Sequence, residues 1–117
     1  MKIGAIVICR YNSSRLPGKI LKKINGKPIL TYIIERLKCV QNLDDFIVAT
    51  SINTTDQPIV DYCIKNQIKY FRGSLENVAE RFLHAGLKFH YDYAIRVNGD
   101  NLFLDHKLIS EMIGKKT

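Results

Sequence analysis

Short apolar runs recur along the chain, and each is followed by a longer segment with an amphipathic pattern. The first run, "KIGAIVI" (Lys2–Ile8), is almost uninterrupted and rich in isoleucine, which is typical of a strand buried on both faces of a parallel sheet. The other predicted strands are "DFIVAT" (Asp45–Thr50), "IKYF" (Ile68–Phe71) and "DYAIRVNGD", in which Tyr93, Ile95 and Val97 alternate.

The segments after the first two strands have the period of amphipathic helices. "KPILTYIIERLKCV" has Pro28 where a helix begins, and "TTDQPIVDYCIKN" has Asp56 near its predicted cap. The predicted apolar faces are Leu30, Ile33, Ile34 and Leu37 in the first helix and Ile59, Val60, Cys63 and Ile64 in the second.

The segments after the third and fourth strands have the same helical period. Ser74 is the predicted cap of "GSLENVAERFLHAGLKFH", and Asp105 is the predicted cap of a last helix. The apolar faces are Leu75, Val78, Ala79, Phe82 and Leu83 in the third helix and Leu108, Ile109, Met112 and Ile113 in the last.

This regular alternation of strands and helices predicts a fold. It favours an α/β protein, a doubly wound parallel sheet with right-handed crossovers and the strand order 3-2-1-4. No repeat, low-complexity tract or linker interrupts residues 1–117, so a single domain is expected. In such a sheet, strands 1 and 4 meet where the winding reverses, and ligands bind beyond the carboxyl ends of the strands.

The loops after strands 1 and 4 carry the candidate chemistry. "CRYNSSRLPGK" offers backbone N–H groups with Arg10, Arg15 and Lys19, a combination suited to a triphosphate. "NGDNLFLD" offers Asp100, which could hold a hard cation such as Mg²⁺ between phosphates. The open alternatives are a solvated basic loop and a turn aspartate. Neither the G-x-G-x-x-G nor the P-loop spacing is present.

The charge and composition of the chain limit the kinds of partner that it is expected to bind. The 117 residues carry a net charge of +7, and residues 1–38 alone carry nine Lys/Arg against one acid. No aromatic-studded basic strand or recognition helix accompanies this charge, so a patch facing a polyphosphate is favoured over a nucleic-acid surface. No apolar run approaches the ~18 residues of a membrane helix, and no signal-peptide cleavage site follows the first strand. Three cysteines without a close pair predict reduced thiols in a cytoplasmic protein.

A set of collinear motifs resembles one known family. "RYNSSRLPGK" followed by "INGKPIL" is similar to the nucleotide-binding segment of sugar-activating cytidylyltransferases, such as the synthetases of CMP-Kdo and CMP-sialic acid. "VATS", "FRGSLENVAERF" and "RVNGDNLFLD" most resemble the branch of spore-coat polysaccharide biosynthesis. The resemblance spans residues 2 to about 113, and it implies that residues 1–117 are a single nucleotide-binding domain, the amino-terminal part of a nucleotidyltransferase. It also implies transfer of CMP from CTP to an acidic sugar with release of pyrophosphate and with Mg²⁺ as cofactor.

The resemblance also implies roles for matching positions. Arg10, Arg15 and Lys19 would be catalytic, with Lys19 offsetting charge on the pyrophosphate, and Asp100 would be the metal ligand. Gly73 has a physical reason of its own, because a residue without Cβ lets the backbone approach a base closely. The full set of implied nucleotide contacts is Cys9, Arg10, Ser13, Arg15, Lys19, Ala49, Thr50, Ser51, Arg72, Gly73 and Arg81. The alternatives are that Arg72 is a solvated loop residue and that Glu80 and Arg81 lie on the outer helix face.

The resemblance further implies a longer protein. Relatives run to about twice this length, and their second half supplies another metal carboxylate, much of the sugar pocket and a dimerisation arm. We therefore expect a homo-oligomer or a second half, and an isolated chain that self-associates along strand 4 or is marginally stable. The alternative function is a nucleotide-binding module without turnover that needs a second chain.

Overall fold

The computed structural model describes residues 1–12 and 17–99. Two short 3-10 helices, Lys19–Leu21 and Thr54–Asp56, accompany the main elements. The strands are β1 (Ile3–Ile8), β2 (Lys23–Ile24), β3 (Lys27–Pro28), β4 (Asp45–Ser51), β5 (Tyr70–Gly73) and β6 (Tyr93–Asn98). The α-helices are α1 (Ile29–Leu37), α2 (Gln57–Lys65) and α3 (Val78–Lys88).

The main sheet has four parallel strands in the order β5-β4-β1-β6. Its central strand is β1, in which Val7 lies beside Val48 of β4 and Val97 of β6. The predicted order 3-2-1-4 is therefore confirmed. β1 and β6 are neighbours at the point where the winding reverses.

Helices cover both faces of this sheet, and the alternation of β1 explains how. All six residues of β1 are buried. Ala5 and Val7 belong to the core formed with α1 and α2, which also contains Leu30, Ile33 and Ile59. The intervening residues face α3 instead. That second core is built from Ile6, Ile8, Ile47, Ala49 and Ala85.

The packing of α3 agrees only in part with the predicted face, of which Val78 and Phe82 pack against the second core. Leu83 is 57% exposed and Ala79 is also exposed, so the prediction that these two residues pack inward is wrong. The face against the sheet contains Ala85 and Gly86, and a Cβ on Gly86 would lie only 3.7 Å from Ile6 Cδ1. Small residues let the helix approach the sheet on this side. A similar correction applies to Ile64 of α2, which is 59% exposed.

One of the predicted helix caps is also corrected. Asn77 caps α3, since its Oδ1 accepts the Glu80 N–H at 2.9 Å, whereas Ser74 Oγ accepts the Asn77 N–H in the preceding turn at 3.1 Å. Asp56 occupies the cap position of α2, in agreement with the prediction, but its side chain makes no capping bond to that helix. The third strand lies two residues later than predicted, and the predicted helix after Asp105 lies outside the described residues.

A small antiparallel hairpin, β2–β3, was not predicted. Its turn residues Asn25 and Gly26 have φ angles of 53° and 82°, the left-handed conformation that an Asn-Gly turn adopts readily. The Asn-Gly pair was the available signal. The flanking strands have two residues each, so no apolar alternation revealed them.

Carboxylates hold the amino-terminal edge of the sheet. Asp44 Oδ2 accepts the Ile3 N–H at 2.7 Å, and Asp92 Oδ2 accepts the Lys2 N–H at 2.6 Å. These bonds satisfy backbone donors at the start of β1. Within residues 1–12 and 17–99, no helix has the length and apolar character needed to cross a membrane.

Candidate functional site

The strand ends converge at the carboxyl edge of the sheet, as the strand order predicts. Gly99 N–H donates to Ile8 O at 2.8 Å, so the ends of β6 and β1 are bonded together. On the other side, Cys9 N–H donates to Ala49 O at 3.2 Å and joins β1 to β4. The chain segments that leave β1, β4 and β6 therefore start side by side.

The loop after β1 is closed at its base by backbone bonds. Gly18 N–H donates to Tyr11 O at 2.7 Å, which brings the two ends of the loop together. Gly18 has a φ of 77°, and a Cβ there would lie 2.8 Å from the Tyr11 hydroxyl, so this position requires glycine. The loop then continues into the 3-10 helix that begins at Lys19.

Of the three predicted cations of this loop, two lie among the described residues. Arg10 is half-buried directly after β1, and Lys19 is exposed at the far end of the loop. The loop closure at Tyr11 and Gly18 brings these two positions to the same edge. Ser13 and Arg15 lie outside the described residues.

Asp56 contacts this loop, a role that the sequence analysis missed. The residue is fully buried, and its Oδ1 accepts the Tyr11 N–H at 2.7 Å. Its Oδ2 accepts the Ser51 N–H at 3.3 Å and also the Ser51 hydroxyl. In the sequence, an aspartate before a helical segment predicts a cap, and nothing local links it to a loop 45 residues away.

The end of β4 is buried at this edge. Ala49, Thr50 and Ser51 are all fully buried, and Ala49 belongs to the core beneath α3. Ser51 Oγ accepts the Asn53 N–H at 3.1 Å in addition to bonding Asp56. Thr50 Oγ1 is a buried polar atom without a hydrogen-bond partner in the described part of the chain. These three positions therefore lie beneath the surface at the carboxyl end of β4.

Arg72 ties β5 to the segment after β4. Its Nε donates to Ser51 O at 2.8 Å, and its Nη2 donates to Asn53 O at 2.9 Å. Its Nη1 donates to Gln57 Oε1 at 2.8 Å. Arg72 is half-buried, so the alternative of a solvated loop residue is wrong. The guanidinium fixes the chain that follows β4.

Gly73 and Arg81 pack against each other. A Cβ on Gly73 would lie 3.1 Å from Arg81 Cγ and 2.8 Å from a ring carbon of Phe71, so the close approach seen here is to α3. Arg81 is fully buried, and its Nε and Nη2 donate to the carbonyls of Ser74 and Leu75 at 2.9 and 3.1 Å. The alternative that Arg81 lies on the outer helix face is therefore wrong.

Buried charges of both signs meet near Arg81. Burial lowers the pKa of Arg81, while the neighbouring Asp56 carboxylate acts in the opposite direction and Arg10 adds to the lowering. In the described ranges, Arg81 Nη1 is buried without a hydrogen-bond partner. The guanidinium is thus anchored through two of its three nitrogens beneath the loop after β5.

Cys9 presents its thiol to the core and not to the edge. The side chain belongs to the core beside α1 and α2, and burial raises the pKa of the thiol. A Cβ on Gly99 would lie 2.5 Å from Cys9 Cβ, so glycine at the end of β6 is what allows the two strand ends to meet. Cys9 can contribute to the site through its backbone.

The metal prediction rests on a residue outside the described ranges, Asp100. Among residues 1–12 and 17–99, no group of three or more His, Cys, Asp or Glu side chains is placed to hold a metal ion. The buried carboxylate at this edge, Asp56, is already occupied by bonds from Tyr11 and Ser51.

An open cleft lies beside these anchors, between the chain after β4 and the chain after β5. Arg72 bonds one wall and Arg81 bonds the other. Its lining residues are Ile52, Asn53, Thr54, Ser74, Leu75 and Glu76.

The fold and this edge define a class of protein, the doubly wound α/β proteins that bind ligands at the switch point of a parallel sheet. Comparison of sequences then identifies the group within that class. The chain belongs to the cytidylyltransferase family, whose sequence profile matches residues 4–116. The resemblance seen in the motifs is confirmed.

Individual proteins agree with this assignment. The chain is 34% identical over 112 residues to the spore coat polysaccharide biosynthesis protein SpsF of Bacillus subtilis, covering 92% of this chain and 47% of SpsF. The fold matches a cytidylyltransferase from Leptospira borgpetersenii with a TM-score of 0.90 at 31% identity, covering 98% of this chain and 48% of that one.

A structure of CMP:2-keto-3-deoxy-manno-octonic acid synthetase complexed with CTP also matches, with a TM-score of 0.80 at 26% identity over 98% of this chain and 47% of that one. The chain spans about half the length of the curated relatives it matches.

Proposed function

We propose that this chain supplies the CTP-binding part of a cytidylyltransferase that transfers CMP from CTP to an acidic sugar for a surface polysaccharide. The observation that carries the proposal is the basic loop after β1, which is closed between Tyr11 and Gly18 at the switch point of the sheet. The family membership and the relation to SpsF and to a synthetase complexed with CTP support it.

The triphosphate is assigned to the loop after β1. Arg10, Arg15 and Lys19 provide positive charge, and Ser13 and the backbone N–H groups of the loop provide further contacts. Cys9, whose own N–H is bonded to Ala49 O, contributes by placing Arg10 at the start of the loop. Arginine forms forked bonds to phosphate oxygens and lysine acts as a point charge, so this set suits a leaving group on which negative charge accumulates.

The nucleoside is assigned to the ends of β4 and β5. Ala49, Thr50 and Ser51 are buried at the end of β4, and the open cleft is lined by Ile52 and Ser74, the residues that follow Ser51 and Gly73. Arg72 and Arg81 bond backbone carbonyls on either side of that cleft. We therefore propose that the two arginines serve the nucleoside mainly by fixing the walls around it.

The proposed ligand of Mg²⁺ is Asp100, which follows Gly99 directly in the sequence. Gly99 is bonded to Ile8 O at the end of β1, next to the start of the basic loop. A bound Mg²⁺ would neutralise part of the phosphate charge.

The reaction itself is an in-line displacement. A hydroxyl oxygen of the sugar bonds to the α-phosphorus, the bond from that phosphorus to its bridging oxygen breaks, and pyrophosphate leaves as the hydroxyl proton is lost. The residues named here act by positioning and by electrostatic stabilisation. The proposed assembly is a homo-oligomer or a chain joined to a second half.

The test is the substitution Lys19→Ala, measured by titration calorimetry with CTP. Loss of a charge-assisted contact to phosphate should weaken binding by about 1.5–3 kcal/mol. Lys38→Ala is the matched control, because Lys38 is an exposed lysine that follows α1. Equal affinities for the parent chain and Lys19→Ala would contradict the assignment of the loop.

The metal and the turnover are tested separately. Asp100→Asn removes a charge at nearly constant size, so it should abolish any increase in CTP affinity caused by Mg²⁺. A pyrophosphate-release assay with CTP, Mg²⁺ and a panel of acidic sugars then addresses turnover. Binding of CTP without release of pyrophosphate would favour the nucleotide-binding module that needs a second chain.

A further inference from the structure

Asp56 is a buried carboxylate at the edge where the proposed nucleotide carries its own negative charges. It has no exposed surface, and its two oxygens accept three hydrogen bonds, from Tyr11 N, Ser51 N and Ser51 Oγ. Burial of a carboxylate is costly unless such bonds compensate it. The donors that bond to Asp56 therefore indicate the role of this carboxylate.

The bonds join two segments that are distant in the sequence. Ser51 is the last residue of β4, inside the sheet. Tyr11 is the first residue of the closed loop, and its carbonyl accepts the Gly18 N–H. The backbone N–H and C=O of Tyr11 are thus both bonded, one to the sheet through Asp56 and one to the end of the loop.

These contacts fix the direction in which the loop leaves the sheet. Arg10 precedes Tyr11 and Lys19 follows Gly18, so each described cation of the loop is the neighbour of a bonded position. A site that binds a charged ligand tightly needs its contacting groups held within about 0.5 Å of their productive positions. The Tyr11–Asp56 bond is the described side-chain contact that can supply this restraint.

We infer that Asp56 is a positioning residue for the triphosphate. It orients the loop after β1 through the Tyr11 N–H and makes no contact with the nucleotide. This inference rests on the proposed binding of CTP at this edge.

The test compares CTP with CMP, which lacks the two outer phosphates. In Asp56→Asn, the amide that replaces the carboxylate cannot accept all three bonds. Affinity for CTP should fall at least about tenfold, in the range expected for a charged hydrogen bond, while affinity for CMP should change less than about twofold. Asp44→Asn is the control, because Asp44 also accepts a backbone N–H at 2.7 Å but lies at the opposite edge.

Amide hydrogen exchange provides a readout that needs no ligand. The Tyr11 N–H should be protected in the parent chain and should exchange at least about tenfold faster in Asp56→Asn. This increase should exceed that of the Ile8 amide, which reports the stability of the sheet as a whole. Exchange of the parent Tyr11 amide at the rate of an unfolded peptide would overturn the inference, even if the variant failed to fold.

The remaining outcomes separate the two proposals. If the parent chain binds CTP and Asp56→Asn binds it equally well, or loses CTP and CMP affinity to the same extent, the positioning role is wrong. If the parent chain has a protected Tyr11 amide but binds no CTP, the proposed function fails and the role at the triphosphate fails with it. The anchoring of the loop alone then stands.

Discussion

The buried guanidinium of Arg81 should stabilise the fold, and Arg81→Met tests this. Methionine keeps the Cβ and Cγ atoms, of which Cγ packs close to Gly73, and removes the charged group. The variant loses the bonds from Nε to Ser74 O at 2.9 Å and from Nη2 to Leu75 O at 3.1 Å.

The magnitude follows from these two bonds. A hydrogen bond involving a charged group contributes about 1.5–3 kcal/mol, so two of them contribute about 3–6 kcal/mol. Removing the buried charge offsets part of this loss of stability. Burial disfavours the charged form of the guanidinium and thereby lowers the pKa of Arg81. We expect the free energy of unfolding to fall by about 2–4 kcal/mol, out of the roughly 5–15 kcal/mol that is usual for a domain.

Urea denaturation followed by circular dichroism measures this change. Arg36→Met is the matched control, because Arg36 is exposed in the last turn of α1 and should cost no more than about 1 kcal/mol. The slope of the free energy against urea should be equal in the parent and both variants. A loss below about 1 kcal/mol in Arg81→Met would refute the stabilising role that we assign to its two bonds.

Two further predictions concern alkaline pH and the glycines. Burial raises the pKa of Cys63 to about 12 from 9.0 and raises that of Cys9 as well, so the unfolded chain loses these protons first as the pH rises. The free energy of unfolding should therefore fall between about pH 9 and 10 by up to about 1.4 kcal/mol per pH unit for each thiol, and urea titrations should show a smaller slope in Cys63→Ala. At higher pH, Tyr62 and Tyr91 add to the slope, because burial raises their pKa values as well. Gly99→Ala places a Cβ 2.5 Å from Cys9 Cβ and should cost about 1–3 kcal/mol, whereas Gly86→Ala, with no contact under 3.7 Å in α3, should stabilise by about 0.5–1 kcal/mol. Thermal melting that gave both glycine variants the same sign would contradict this packing.

The sheet could be predicted from the sequence because its information is local. A run such as Ile3–Ile8 is too apolar for any surface position, and the i, i+3, i+4 spacing of Leu30, Ile33 and Ile34 specifies one buried helical face. Four predicted strands, each followed by a predicted helix, are compatible with few sheet topologies. The confirmed strand order follows from them.

The orientation of α3 could be predicted only in part, because apolar residues lie on more than one side of the helix. Val78 and Phe82 pack against the second core as predicted, whereas Leu83 does not. Leu83 and Ala85 are both candidates for burial by hydropathy alone. In the structure, the side of α3 that carries Ala85 and Gly86 packs against the sheet, and these small residues permit a close approach. Which side packs inward depends on the shape of the sheet, which no local window contains.

The structural roles of Asp56 and Arg81 could not be predicted for a related reason. Asp56 bonds Tyr11, which is 45 residues away, and Arg81 bonds the carbonyls of the loop that precedes its own helix. The local sequence gives only a charged residue near a helix start in both cases. The loop cations were predictable because their number and their place after β1 are visible in the sequence, whereas the residues that hold the loop become visible only in three dimensions.

The central position of β1 has a consequence for the kinetics of folding. Gly4 pairs with Asp45 and Ile3 pairs with Tyr93, so both neighbours of β1 come from distant parts of the chain. Closing such long loops before any pairing stabilises them is slow, and mainly non-local pairing places a domain among the slower folders. Because β1 is paired on both sides, its amides can exchange with solvent only when the whole sheet opens, and their exchange rates measure the global stability of the domain directly.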